Sequence, residues 1–235
     1  TPKYLSPTAI DIFHTDQDLY YSIYLCDTKR PRDPQTQPMS IGSAFDAYVK
    51  ADLHQKIVGK PDPEFEFETL FESQVEAHNR DWALVNGKEV FDHYVEVGAL
   101  SDLLIDLEKA VGEPRFEVSI QGAIQWSGSS RMKTVGASNV ILLGKPDLFY
   151  INKEGYNVIH DWKVNGYCSQ ASPRPGYIKI LPGGNKHKDA MATMHRGMRI
   201  SASHMLEHVD KKWAAQLGVY GWLSGCEVGS DFLCT

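Results

Sequence analysis

Three side chains near the middle of the chain have the types and spacing to hold a hard divalent cation and activate a water. Asp147 lies in Gly144-Lys145-Pro146-Asp147, and Asp161 and Lys163 lie in His160-Asp161-Trp162-Lys163. The two stretches are joined through Asn152-Lys153-Glu154-Gly155. If residues 153–155 form a three-residue hairpin loop, Gly155 supplies the left-handed residue such loops favour. Asn152 then pairs with Tyr156, and Asp147 falls opposite Asp161. Side chains alternate along a strand, so Lys163 shares the face of Asp161. Carboxylate oxygens suit Mg2+ or Mn2+, and a neighbouring ammonium can hold or polarise a water beside the ion, as phosphodiester hydrolysis requires. The bland alternative is a set of charged residues on the solvent face of a hairpin. A one-residue slip would also carry Asp161 to the opposite face.

The elements that must position these groups follow from patterning. Ser6-Pro7 reads as an N-cap with proline in the first turn, opening a helix to about Phe13. A tyrosine-rich stretch over 19–25 precedes a segment, 30–38, whose three prolines read as a loop. Ser40 is the expected cap of the next helix, with Ile41, Phe45, Tyr48, Val49 and Leu53 at helical spacing. Asp62-Pro63 opens a helix expected to reach Trp82, and Ser101 one that ends at Gly112. From Arg115 the period changes to two. Phe116, Val118, Ile120 and Ile124 predict one strand, and 140–151 and 156–164 two more. A Ser/Gly-rich loop is expected over 127–138 and a Pro/Gly-rich loop after Gly166, with helix over 186–223 and a last strand over 231–234. The order is helices followed by α-β-β-β-α-β: an α/β (α+β) chain with a central mixed sheet flanked by helices. One domain over 1–235 is expected, mainly helical over 1–113, with the α/β core over 114–235.

Composition bounds the function classes. At 235 residues, 42% hydrophobic and 23% charged, the chain is long enough for a sizeable core and too ordinary for a disordered or fibrous protein. A formal charge of −6 does not advertise a nucleic-acid partner, so any such surface must be local. No apolar run approaches the roughly 18 residues of a membrane span. No secretory signal opens the chain as it stands, and its ends are read as trimmed. Cys26, Cys168, Cys226 and Cys234 contain no C-x-x-C pair, which argues against a zinc knuckle or disulfide framework and for reduced thiols in a cytoplasmic protein.

Taken in order, Gly144-x-x-Asp147, Asp161-x-Lys163 with Gly166 after it, and Gln216-x-x-x-Tyr220 resemble the PD-(D/E)xK nuclease superfamily. The Gln/Tyr element is similar to its RecB-like branch, which includes phage exonucleases and CRISPR-adaptation nucleases. The strict spelling is present as Pro146-Asp147 and Asp161-Trp162-Lys163, and the opening Leu5-Ser6-Pro7-Thr8 with Tyr20-Tyr21 is similar to the start of many members. The resemblance covers roughly 5–25 and 40–235. It implies a restriction-endonuclease-like core and a Mg2+- or Mn2+-dependent deoxyribonuclease, expected to be an exonuclease on DNA ends or single strands. Phage or bacterial recombination, repair or replication is the expected setting, with a recombination or single-strand-binding protein as a possible partner. Asp147 and Asp161 would be metal ligands, the Trp162 backbone carbonyl a third, and Lys163 the residue acting on the attacking water. Gln216 and Tyr220 would position the DNA strand or the active-site backbone, or else form a buried polar pair holding the helix on the sheet.

There are departures from the pattern. A histidine is expected four residues after a glycine on an early helix, but Gly42 is followed there by Asp46, a carboxylate that could serve as ligand or face water. Glu117 competes for the same role. The cysteines do not make a four-thiolate set, so no iron–sulfur cluster is expected. Lys186, Lys188, Arg196 and Arg199, with Lys179 and His187, form a basic stretch suited to a phosphate backbone or to an ordinary solvated helix face. Tyr167, Tyr177 and Trp162 could stack on bases. His204-Met205-Leu206-Glu207-His208 also spells an inverted zinc-protease motif, but lacks an evident third ligand. The alternatives are thus a catalytically weak DNA-binding subunit of the same fold and, remotely, a zinc metalloprotease.

Overall fold

The structure is a computed structural model, and it describes residues 2–124, 140–164, 168–169, 172–173, 211–225 and 232–234. The first half is helical: α1 Pro7–Thr15, α2 Gln17–Tyr20, a π-helical turn Tyr21–Leu25, α3 Gln37–Ile57, α4 Phe67–Gln74, α5 Arg80–Glu96 and α6 Ala99–Glu108. Then follow β1 Arg115–Phe116, β2 Ile120–Ile124, β3 Val140–Gly144, β4 Leu148–Ile151, β5 Asn157–His160, β6 Cys168–Ser169, β7 Ser172–Pro173, α7 Lys211–Leu223 and β8 Phe232–Cys234. The architecture is mixed α/β, of the α+β kind. None of the described helices is long and apolar enough to cross a membrane.

Ser6 caps α1 as its sequence predicts, its hydroxyl accepting the Ala9 N–H at 3.2 Å. Other helix limits differ. The helix expected from Ser40 starts at Gln37, with Pro38 inside its first turn. Proline is tolerated there because first-turn N–H groups have no intrahelical acceptor and its fixed φ suits the helix. The single helix expected over 62–82 is instead a 3-10 turn at Pro63–Phe65, α4, a second turn at Ala77–Asn79, and α5. Gln35 fixes the break. Its side chain bonds the Gln74 carbonyl and the Glu76 N–H, and its own carbonyl accepts from Asn79. α5 continues well past the expected end at Trp82: it meets α3 closely at Ala83 and Gly87, and further along it packs Val90, Phe91 and Tyr94 against the Phe45 side of the core. The last N-terminal helix begins at Ala99, behind Gly98 at φ 83°, and ends before Gly112.

The main sheet has the order β1-β4-β5-β8. β1 and β5 each run antiparallel to β4, and β8 runs parallel to β5. The hairpin register matches the sequence expectation: Leu148 pairs with His160, and the Asn152 N–H donates to the Tyr156 carbonyl at 2.9 Å. The strand expected over 140–151 is broken at Lys145-Pro146-Asp147, and its partner is broken at Glu117. β2 and β3 form a separate two-stranded sheet. The pairings on both sides of the break share one register, so β1–β4 and β2–β3 are one bent ladder with Glu117 level with Asp147. Pro146 has no N–H for the ladder, and Glu117 sits at φ 53°, the one positive φ among the described non-glycine residues.

One face of the main sheet carries Leu148, Tyr150 and Val158, packed against Phe45, Val49 and Leu53 of α3 and Leu100, Leu103 and Leu107 of α6. A second cluster joins Ala44 and Ala47 of α3 to Leu70 and Phe71 of α4, Val75, and Ala83 of α5. At 3.6 residues per turn these are separate stripes of α3, and Asp46 and Lys50 form a third. The helix is therefore covered nearly all round. α7 rests on the small sheet, where Gly122 and Gly144 leave room for Trp222, Leu223 and Tyr220: a Cβ on Gly144 would lie 2.7 Å from the Tyr220 ring.

The α3–α5 contact sets a test of this packing. A Cβ on Gly87 would stand 2.5 Å from the Ala44 Cβ and 3.4 Å from the backbone of Ala44 and Phe45. Glycine to alanine within a helix ordinarily gains up to about 1 kcal/mol. Here neither neighbour is a flexible side-chain end, so Gly87→Ala is expected to lower stability by about 1–3 kcal/mol, read from the urea midpoint.

Candidate active site

The hairpin, the break in the ladder, α3 and α7 converge on one group of charges. Asp147 and Asp161 extend the β4–β5 pairing by one step and stand opposite each other. The Asp147 carboxylate (Oδ2) accepts the Trp162 N–H at 2.9 Å, which ties the end of β4 to the chain after β5. Lys163 pairs with Asp161, whose side chain is only 5% exposed. From α7, Gln216 Nε2 reaches Asp161 Oδ1 at 3.5 Å and donates to the Tyr220 hydroxyl at 2.6 Å. That hydroxyl donates to the Lys145 carbonyl at 3.3 Å. Burial first, and then the Asp161 and Asp147 charges, push the Tyr220 phenol up to about 12, so it acts as a neutral donor.

Lys50, which the sequence reading passed over, lies beneath this group. Its side chain is 0% exposed, and its ammonium contacts Asp46 at 2.6 Å, Glu117, and Asp147 at 3.5 Å. Asp46 and Glu117, weighed as alternatives from the sequence, thus enter the same cluster together. Glu117 also pairs with the more exposed Lys145. Two signals for Lys50 exist in the sequence: its i,i+4 spacing from Asp46, and its place between the apolar positions Val49 and Leu53. Such a spacing usually marks a surface pair.

Burial alone would pull Lys50 down, but Asp46, Asp147 and Glu117 override it and hold the ammonium above the ordinary lysine range. Burial would raise Glu117, but Lys50 and Lys145 bring it below the usual carboxylate value. Asp46 and Asp147 go the other way. Burial raises Asp46 despite Lys50. Burial, opposed by Lys50 and reinforced by the Asp46 and Asp161 charges, pushes Asp147 up from 3.8 to about 7. Among the described residues four carboxylates face three ammoniums here, and Asp147, with burial as the largest cause, is the one held most strongly toward its neutral form.

The donors suit a hard cation: all are carboxylate oxygens. The buried Asp46 Oδ1 has no partner of hydrogen-bond geometry, although the Gln74 amide is near enough to favour the ionised form. Among the described residues, no three His, Cys, Asp or Glu side chains form a ready-made ion cage. The three carboxylates that do meet at a point meet on the Lys50 ammonium.

Lys186, Lys188, Arg196 and Arg199 of the basic stretch, Tyr167 and Tyr177, and the His204, Glu207 and His208 motif all lie outside the described residues. Cys26 is a free thiol. No protein-family model matches the chain, nor does any curated protein or solved structure.

The Asp147 shift has a definite sign in stability. Between pH 4 and 7 the folded protein keeps a proton on Asp147 that the unfolded chain has released, so raising pH across this window costs stability. His160, pulled by burial from 6.5 down to about 4, contributes the opposite slope below pH 6.5. The difference between wild type and Asp147→Asn isolates the first effect. With EDTA present, the variant's stability relative to wild type is expected to rise from pH 4 to about 7 and then level off. A difference constant with pH, measured by chemical denaturation, would mean that Asp147 is ionised throughout.

Proposed function

We propose that the protein is a divalent-metal-dependent DNA nuclease that hydrolyses phosphodiester bonds, acting as an exonuclease on DNA ends or single strands in recombination, repair or replication. The observation that carries this reading is the placing of Asp147 and Asp161 opposite each other at the hairpin end, with Lys163 on Asp161 and Gln216 and Tyr220 closing over them from α7. The order of a helix, the bent ladder, β5, α7 and the parallel β8 supports a PD-(D/E)xK-type core.

In this reading Asp147, Asp161 and the Trp162 carbonyl would hold Mg2+ or Mn2+, with Asp46 or Glu117 as a further ligand. The bound ion supplies Lewis-acid polarisation of a phosphoryl oxygen and of water. Lys163, 29% exposed and paired with Asp161, would orient the attacking water and offset charge building on the phosphoryl oxygens. As the water oxygen bonds to phosphorus, the bond to the leaving sugar oxygen would break; the attacking water would release a proton to solvent and the leaving oxygen would take one up from solvent. Gln216 fixes Asp161, and Tyr220 fixes the Lys145 carbonyl, so α7 holds the carboxylates in place.

Labelled linear DNA incubated with Mg2+ or Mn2+, with and without EDTA, tests the proposal. Cleavage is expected only with metal. Lys163→Ala should lower turnover by about 10²–10³-fold with metal binding largely kept, whereas Asp161→Ala should lose both. DNA binding without metal-dependent cleavage would favour a binding subunit, and full activity in Asp161→Ala would overturn that assignment.

A further inference from the structure

We infer that Lys50 is the resident counter-ion of this site: its ammonium gathers Asp46, Glu117 and Asp147 and competes with a divalent cation for them, so Lys50 sets how tightly that cation binds. The inference rests on the metal-binding reading above.

Three observations bear on it. The carboxylates come from α3, from the Glu117 break and from the Asp147 break, at separations from Lys50 of 4, 67 and 97 residues. Carboxylates gathered from distant parts of a chain need a cation among them or a retained proton, and here the ammonium touches all three. The second is that packing alone does not call for an ammonium. The neighbouring stripes of α3 are Phe45, Val49 and Leu53 on one side and Ala44 and Ala47 on the other, and a buried ion pair is often replaceable by an apolar residue of similar volume. The third is incomplete coverage. Lys50 bonds Asp46 through Oδ2 and leaves Oδ1 with only the nearby Gln74 amide and, among the described residues, no partner of hydrogen-bond geometry, and it reaches Asp147 only at 3.5 Å. A lone positive charge thus spans a set of oxygens that a doubly charged ion would hold more completely. For such an ion to enter, the ammonium must release at least one carboxylate.

Mn2+ titration of the full chain, followed by electron paramagnetic resonance, tests this in wild type and in Lys50→Met and Lys50→Gln. With the competing charge removed, the neutral variant that folds by circular dichroism is expected to bind Mn2+ about tenfold or more tightly than wild type. Its unfolding temperature in EDTA should fall and recover with Mn2+. A wild-type measurement covers the case in which neither neutral variant folds. With lysine 13Cε labelling and Lys50→Arg for assignment, saturating Mg2+ should shift the Lys50 resonance. Equal or weaker Mn2+ binding by the neutral variant, or an unmoved Lys50 resonance, overturns the inference while the metal site stands. Absence of Mn2+ binding by wild type overturns both. Tighter binding by the variant, in a protein that cuts no DNA with either metal, supports the inference and removes the nuclease reading.

Discussion

An ammonium with no exposed surface stays charged only when carboxylates surround it closely enough to replace the water it has lost. Lys50 meets that condition through three partners, two of which tie distant parts of the chain to α3. Asp46 is one turn away on the same helix. Glu117 requires the bend between β1 and β2, and Asp147 requires the bend between β3 and β4. A slip of one residue in either ladder would turn one of these carboxylates away and leave the charge under-compensated. The electrostatics of one side chain therefore favour the same register that the apolar face and the hairpin loop select.

The bend in the ladder is the local feature that makes this possible. A continuous strand pair would keep Glu117 and Asp147 in the regular pleat. Pro146 removes a ladder donor, and Glu117 takes a left-handed conformation that costs an L-residue roughly 1–2 kcal/mol. Contacts to Lys50 and Lys145 hold Glu117 there. One bond, from the Glu117 N–H to the Asp147 carbonyl at 3.2 Å, keeps the two levels together. Ladder regularity gives way where the charges gather, and regular pairing resumes on both sides.

The hairpin was the most legible part of the chain. The Asn152–Gly155 connection defined the loop, alternation did the rest, and Asp147, Asp161 and Lys163 fell where the pairing requires. Gln216 and Tyr220 were legible as helical neighbours, and here they share a hydrogen bond. Lys50 was hidden because lysine four residues after aspartate on a helix is normally a solvated pair, and only tertiary packing distinguishes a buried one. The strand breaks were hidden because Phe116, Val118 and Ile120 keep their alternation across a residue whose backbone leaves the β region. The close part of the α5 contact was hidden because it relies on what Gly87 lacks. In each case the missing information was non-local: what a residue would meet from another element.

The seat of α7 has a consequence for how this chain can drift in sequence. Gly122 and Gly144 form a bare floor on the small sheet, on which Trp222, Leu223 and Tyr220 lie. A methyl group at Gly144 would press on the Tyr220 ring at 2.7 Å, and Tyr220 in turn is hydrogen-bonded to the Gln216 amide beside Asp161. Gly144 itself bears no functional group, yet its replacement would mimic a lesion in the carboxylates. Tolerance to substitution at position 144 is therefore governed by the distance across a helix–sheet seam, and this glycine is constrained together with charged residues with which it shares no chemistry.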